Sequence, residues 1–181
     1  MIARCALDAT AELGYSGATV SEIARRAGCS RRTFWNHFSD VESALLEAAL
    51  PPDVTDRLFP RAGTDPAALL GAWEASAAAA LADGSLTQVQ VLRDSLPRGI
   101  QRDLVTSRVL THMIRAAQQA LPPGRPGTST LLASVTGAAL AITLMGSPGP
   151  PERSDQESLE EAVRACFRGV RDGLVPASAA R

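Results

Sequence analysis

Two short amphipathic patterns joined by a tight turn, between Thr19 and Phe38, constrain this chain more than any other stretch. That arrangement is how a helix-turn-helix is written in sequence. Thr19 with Glu22 three residues on reads as a capping box, hydroxyl and carboxylate each satisfying an exposed backbone N–H. Val20, Ile23, Ala24 and Ala27 follow at spacings of three and four and form one apolar stripe. Gly28 takes positive φ cheaply and ends the helix, and Ser30 is a good N-cap for the next.

At about 100° per residue, Phe34 and Phe38 share a face of that second helix and should anchor it to the body. The opposite face is centred on Asn36, with Arg32 and Thr33 beside it and Trp35 and His37 on the flanks. Such a helix fits a major groove with Arg32 at guanine and Asn36 at adenine. Trp35 and His37 would reach phosphates, which position the helix without specifying sequence. Arg31, in the first turn, reaches either; Thr19 and Ser21, at the start of the preceding helix, complete the expected DNA-facing set. The bland alternative is the solvated face of an ordinary helical hairpin.

The matches extend past the motif. Ala6-Leu7, Gly14-Tyr15, Thr19-Val20, Ile23-Ala24, Ala27-Gly28, Ser30, Thr33, Phe38 and Glu42 together resemble the N-terminal domain of the TetR family of bacterial regulators, without a gap from Met1 to about Leu46. Departures from the family pattern are informative. Thr10 stands where relatives have a core Phe, so Leu13 or Trp35 is expected to fill the space. Trp35 replaces a common Tyr, exchanging an O–H for an indole N–H that only donates. Val41 stands where a Lys usually meets the phosphate backbone, which predicts a shallower salt dependence. Cys29 takes a turn position where relatives prefer Val, as a small buried hydrophobe would.

General basicity does not advertise a nucleic-acid partner, because the net charge is −1. Distribution does: of the Arg residues before residue 50, Arg25, Arg26, Arg31 and Arg32 cluster beside the proposed reading face. All 18 basic residues are Arg, which speaks of a GC-rich coding sequence rather than of mechanism. Cys5, Cys29 and Cys166 make no CxxC pair and join no His and acid cluster, so no metal and no cofactor is expected. Nothing at the start of the sequence resembles a signal peptide, and a cytoplasmic protein is expected.

Beyond the motif, Ser39 with Glu42 reads as a second capping box for a helix through Leu45, Leu46 and Ala49, which Pro51-Pro52 stops. The expected domains are 1–46, a three-helix DNA-binding domain, and 52–181, a helical effector-binding and dimerisation domain. Helices are predicted over about Pro66–Ala82, Leu86–Leu96, Pro97–Leu121, Thr130–Met145 and Ser158–Leu174, with loops at Pro122–Gly127 and Ser147–Pro151. The fold class is all-α. The apolar run from Thr130 to Gly146 falls short of the roughly 20 residues a membrane span needs.

The resemblance implies that the last two helices pair with those of a second copy in a homodimer. Leu131, Val135, Gly137 and Ala141, with Leu159, Val163, Phe167 and Val170, are the expected interface; the lesser alternative is a monomer core stripe. Trp73, Leu92, Leu96, Leu110, His112, Met113 and Leu144 are candidate pocket residues, set opposite the small Ala75 to Ala80, so a mainly apolar effector with one polar end is expected. The resemblance implies a regulator, more in the manner of a repressor, released from an inverted-repeat operator by that effector. The rival is a helical-bundle enzyme or small-molecule carrier with a vestigial DNA domain. Against it, only His37 and His112 are present and no nucleophile, base and acid spacing occurs, so no catalytic residue is assigned.

Overall fold

Pro52 and Pro66 each open a helix, at the position where a missing N–H has no intrahelical partner to lose. The computed structural model describes residues 1–61, 65–97, 99–122, 127–146 and 155–174, and among them every regular element is helical. The order is α1 (Ile2–Leu13), a 3₁₀ turn (Tyr15–Gly17), α2 (Val20–Arg26), α3 (Arg31–His37), α4 (Val41–Ala49), α5 (Pro52–Leu58), α6 (Pro66–Ala82), α7 (Thr87–Ser95), α8 (Ile100–Gln119), α9 (Thr128–Met145) and α10 (Asp155–Leu174). No helix among the described residues is long and apolar enough to cross a membrane. The predicted loops at Pro122–Gly127 and Ser147–Pro151 fall largely on residues 123–126 and 147–151, outside the described residues.

Two compact units form, and they do not follow chain order. The first takes Met1–Pro52 together with Leu86–Val109. Its core is Leu7, Ile23, Phe34 and Leu45, joined by Val89 and Leu92 of α7 and Val105 of α8, all buried. The second takes Asp53–Ser85 and the described residues from Leu110 on, around Leu58, Leu70, Trp73, Met113, Leu140 and Phe167. Leu92 and Leu96 therefore belong to the first unit, and Trp73, Leu110, His112, Met113 and Leu144 to the second. Trp73 is fully buried, its indole N–H donating to the Pro60 carbonyl at 3.1 Å and its ring edge-on to Phe59. None of the seven candidate pocket residues lines a described cavity.

Most of the expected interface residues are buried within one chain. Leu159, Val163, Phe167 and Val170 are buried within the single chain, where α10 packs on α6 and α9. Ala141 is buried too, and Gly137 lies against the backbone of α8 at Met113 and Ile114. All six therefore pack within one protomer. The large apolar residues that α9 leaves in solvent are Leu131, 53% exposed, and Ile142, 59% exposed, with Val135 half-buried on the same face.

Candidate nucleic-acid interface

Local capping sets the two helices of the motif. Thr19 Oγ1 accepts from the Glu22 N–H at 3.3 Å and starts α2. The reciprocal half of the expected capping box is missing. Glu22 turns its carboxylate to Arg25 and Arg26 instead, at 2.6 and 2.7 Å, and Arg26 also reaches Glu12 at 2.7 Å. Hydrogen bonds from Arg25 and then from Arg26 hold the Glu22 carboxyl down at about 2, so it stays charged at neutral pH. Two of the four clustered arginines are thereby neutralised, and the cationic character of the surface falls to Arg31 and Arg32.

The turn closes as a Schellman motif. Gly28 N–H donates to the Arg25 carbonyl at 3.3 Å and Cys29 N–H to that of Ala24 at 3.0 Å, with Gly28 at φ 63°. An alanine there would carry the left-handed strain that glycine avoids. Ser30 then caps α3, accepting from the Thr33 N–H at 3.0 Å, while its hydroxyl meets that of Thr33 at 2.8 Å. Phe34 and Phe38 are both buried, ring centroids 5.6 Å apart, and fix the inner face of α3.

With that face pinned, α3 turns Arg31, Arg32, Trp35, Asn36 and His37 to solvent, and Thr33 is half-buried. Thr19 and Ser21 are exposed at the start of α2. Trp35 is 50% exposed, resting edge-on against Phe34, and Leu13 is 49% exposed, so neither fills the space under α1. Thr10 is itself buried there, its hydroxyl satisfied by the Ala6 carbonyl at 2.9 Å.

What holds α4 behind the recognition helix was not visible in the motif. Asp40, not Ser39, is the N-cap, in a reciprocal capping box with Ser43. Arg108 of α8 donates to Asp40 Oδ2 at 2.7 Å. Partial burial pushes the Asp40 carboxyl up, but the bonds from Ser43 and the charge of Arg108 outweigh it and hold the group below its usual value. Tyr15 donates its O–H to Glu42. No local signal links Asp40 to Arg108, 68 residues away.

Burial, followed by that bond to Glu42, pushes the Tyr15 phenol up to about 12. A raised value means the contribution is complete below the unfolded value near 10 and is lost as pH rises through about 12. Tyr15 is the chain's one tyrosine, so absorbance near 295 nm follows it alone. The tyrosinate midpoint is expected well above 10, and lower in Glu42→Gln; a wild-type midpoint at the free value would show that the Tyr15–Glu42 bond does not form.

Residues 3–49 match the family model described as bacterial regulatory proteins, tetR family. This is a TetR-family DNA-binding domain. Transcription regulation through a helix-turn-helix is the function class that goes with it. Two solved structures are similar over nearly the full length of the chain. One is a transcriptional regulator from Rhodococcus sp. Rha1, at 26% identity over 97% of each chain with a TM-score of 0.40. The other is a TetR-family transcriptional regulator from Mesorhizobium loti MAFF303099, at 21% identity over 94% of this chain and 93% of that one, TM-score 0.35. Superpositions at that level carry nothing further. No curated protein matches the chain.

Proposed function

We propose that this TetR-type chain is a repressor that binds an inverted-repeat operator as a homodimer and leaves it when a small molecule binds. One observation carries the DNA-reading half. Arg31, Arg32, Asn36 and His37 stand in solvent on a short helix whose other face is locked by Phe34 and Phe38. A surface cation is positioned there without a protein partner, since neither Arg31 nor Arg32 pairs with another described residue. Arg32 and Asn36, one helical turn apart, read base edges; Arg31, Trp35 and His37, with Thr19 and Ser21, meet the backbone.

Two exposed apolar side chains on one helix face support the dimer. Leu131, Val135, Ala138 and Ile142 recur at helical spacing along α9 with Leu131 and Ile142 more than half exposed. On α10 the exposed residues include Ala162, Ala165 and Gly169, small enough for a second backbone to come close. A second copy covering these surfaces removes apolar area that water otherwise wets. Two reading heads then span half-sites about one helical turn, roughly 34–36 Å, apart or a longer compatible spacing.

Selection of bound DNA from a random pool tests the reading, with sedimentation reporting a dimer at micromolar concentration. Arg32→Ala or Asn36→Ala should relax base preference at one position per half-site and weaken the selected site by about 1–3 kcal/mol for each contact. His37→Ala should weaken every sequence alike. An Arg32→Ala protein that lost affinity uniformly would reverse the assignment of faces, and a monomer protecting one half-site would end the dimer reading.

A further inference from the structure

The second unit holds a cavity of about 330 Å³ whose wall includes Thr55 and Asp56 of α5, Phe59 and Arg61 just beyond it, and Ala116 and Gln119 near the end of α8. We propose that this cavity binds a small zwitterion, a molecule carrying one ammonium and one carboxylate such as a free amino acid, as the effector that the ligand-release reading requires.

The charges on the wall decide the ligand class. Asp56 and Arg61 are both exposed, and neither forms an ion pair with another described residue. An apolar occupant would displace water from both charges and give nothing back, which is unfavourable. A simple anion would meet Arg61 at the expense of Asp56, and a simple cation the reverse. A zwitterion replaces both hydration shells at once: its carboxylate suits the two-pronged guanidinium, and its ammonium suits a carboxylate. Phe59 and Ala116 supply an apolar patch for the rest of the molecule, and the Gln119 amide either donates or accepts. The volume lies at the small end of ligand pockets, which limits the occupant to about the size of an amino acid.

Thr55 is not a free hydroxyl. Its Oγ1 lies 3.1 Å from His112 Nε2, so α5 and α8 are already tied beside the cavity. Burial, with the nearby Arg115 charge, lowers the His112 value, which keeps that ring neutral and leaves the wall's charge to Asp56 and Arg61. The same α8 carries Arg108, the residue that holds the Asp40 cap behind the recognition helix. A ligand that shifts α8 thus acts on the helix from which that cap is held.

The experiment uses the full chain and a panel of the twenty free amino acids at millimolar concentration, read by thermal shift and calorimetry. At least one should bind, and its methyl ester and its N-acetyl derivative should each bind at least tenfold more weakly. In Arg61→Ala the free acid and the ester should become equivalent; in Asp56→Asn the free amine and the N-acetyl form should. Both residues are exposed, and circular dichroism checks that the variants fold. No binding by any amino acid, or binding indifferent to both replacements, overturns the proposal. Operator affinity measured alongside separates the two readings. An amino acid that binds with these signatures and leaves the operator complex intact upholds the site and ends the release reading. A fatty acid that releases the operator from wild type and Arg61→Ala alike, with no amino acid binding to either, upholds release and refutes the site.

Discussion

Replacing Trp73 by alanine should lower the stability of the chain by about 3–5 kcal/mol, the range for deleting a fully buried large aromatic. The indole sits at 0% exposure with its N–H on the Pro60 carbonyl and Phe59 edge-on at 5.2 Å between centroids. Removal leaves a void, strands one hydrogen bond and loses the aromatic pair. For a chain of this length the loss corresponds to a fall in Tm on the order of 10 °C. Trp73→Phe should lose less, since it keeps an aromatic partner for Phe59 and forfeits mainly the N–H. Urea unfolding followed by circular dichroism reads both. A Trp73→Ala loss below about 1 kcal/mol would mean that the indole borders a space able to adapt, as a ligand wall does and a packed core does not.

That result bears on what a single sequence can tell. Trp73, Met113 and Leu144 are large apolar residues on helices, and nothing in their type or spacing separates a cavity wall from a filled core; in the structure all three are buried. The helix Pro66–Ala82 was readable to its ends because its stop and start signals are chemical: Asp65 accepts from the Ala68 N–H, and Pro66 follows it. The seven residues of α5 were not, because a Pro-Pro pair breaks one helix and starts another with equal ease. At α4, Ser39 and Asp40 are both capping types one residue apart, and only the reciprocal bonds with Ser43 choose between them.

Partner choice was the other blind spot. The stripe from Leu159 to Val170 announces a buried face without saying whether its own chain or a second one buries it, and α6 and α9 do so here. On α9, apolar nearly all round, periodicity has no phase, so the exposure of Leu131 and Ile142 had to come from coordinates. The arginine cluster shows the same limit. Charge counting gave four cations near the reading face, but Glu22 and Glu12, one of them from the preceding helix, take up two. In contrast, the motif itself needs only contacts within about twenty residues, and its cap, turn and anchors are where local chemistry puts them: Ser30 on Thr33, Gly28 at positive φ, Phe34 and Phe38 inside.

Gly137→Ala should destabilise the chain by about 1–3 kcal/mol, although alanine is the better helix former by about 1 kcal/mol. A Cβ built at Gly137 meets the Met113 carbonyl oxygen at 2.6 Å and the Met113 carbonyl carbon and Ile114 Cα at 2.9 Å. Those atoms are backbone in the middle of α8, so no rotamer change relieves the contact and the two helices must separate. Separation loosens everything the close approach supports, including the Gln118 amide on the Ser134 hydroxyl at 2.8 Å. Gly71, inside α6, is the control. An added Cβ there meets nothing within 4 Å, so Gly71→Ala should gain up to about 1 kcal/mol from propensity and the smaller entropy of its unfolded state. Opposite signs for the two substitutions, in the same denaturation assay, are the expected result. If Gly137→Ala stabilised the chain as Gly71→Ala does, α8 and α9 would not approach at this glycine, and the packing that turns Leu131 and Ile142 outward would have to be redrawn.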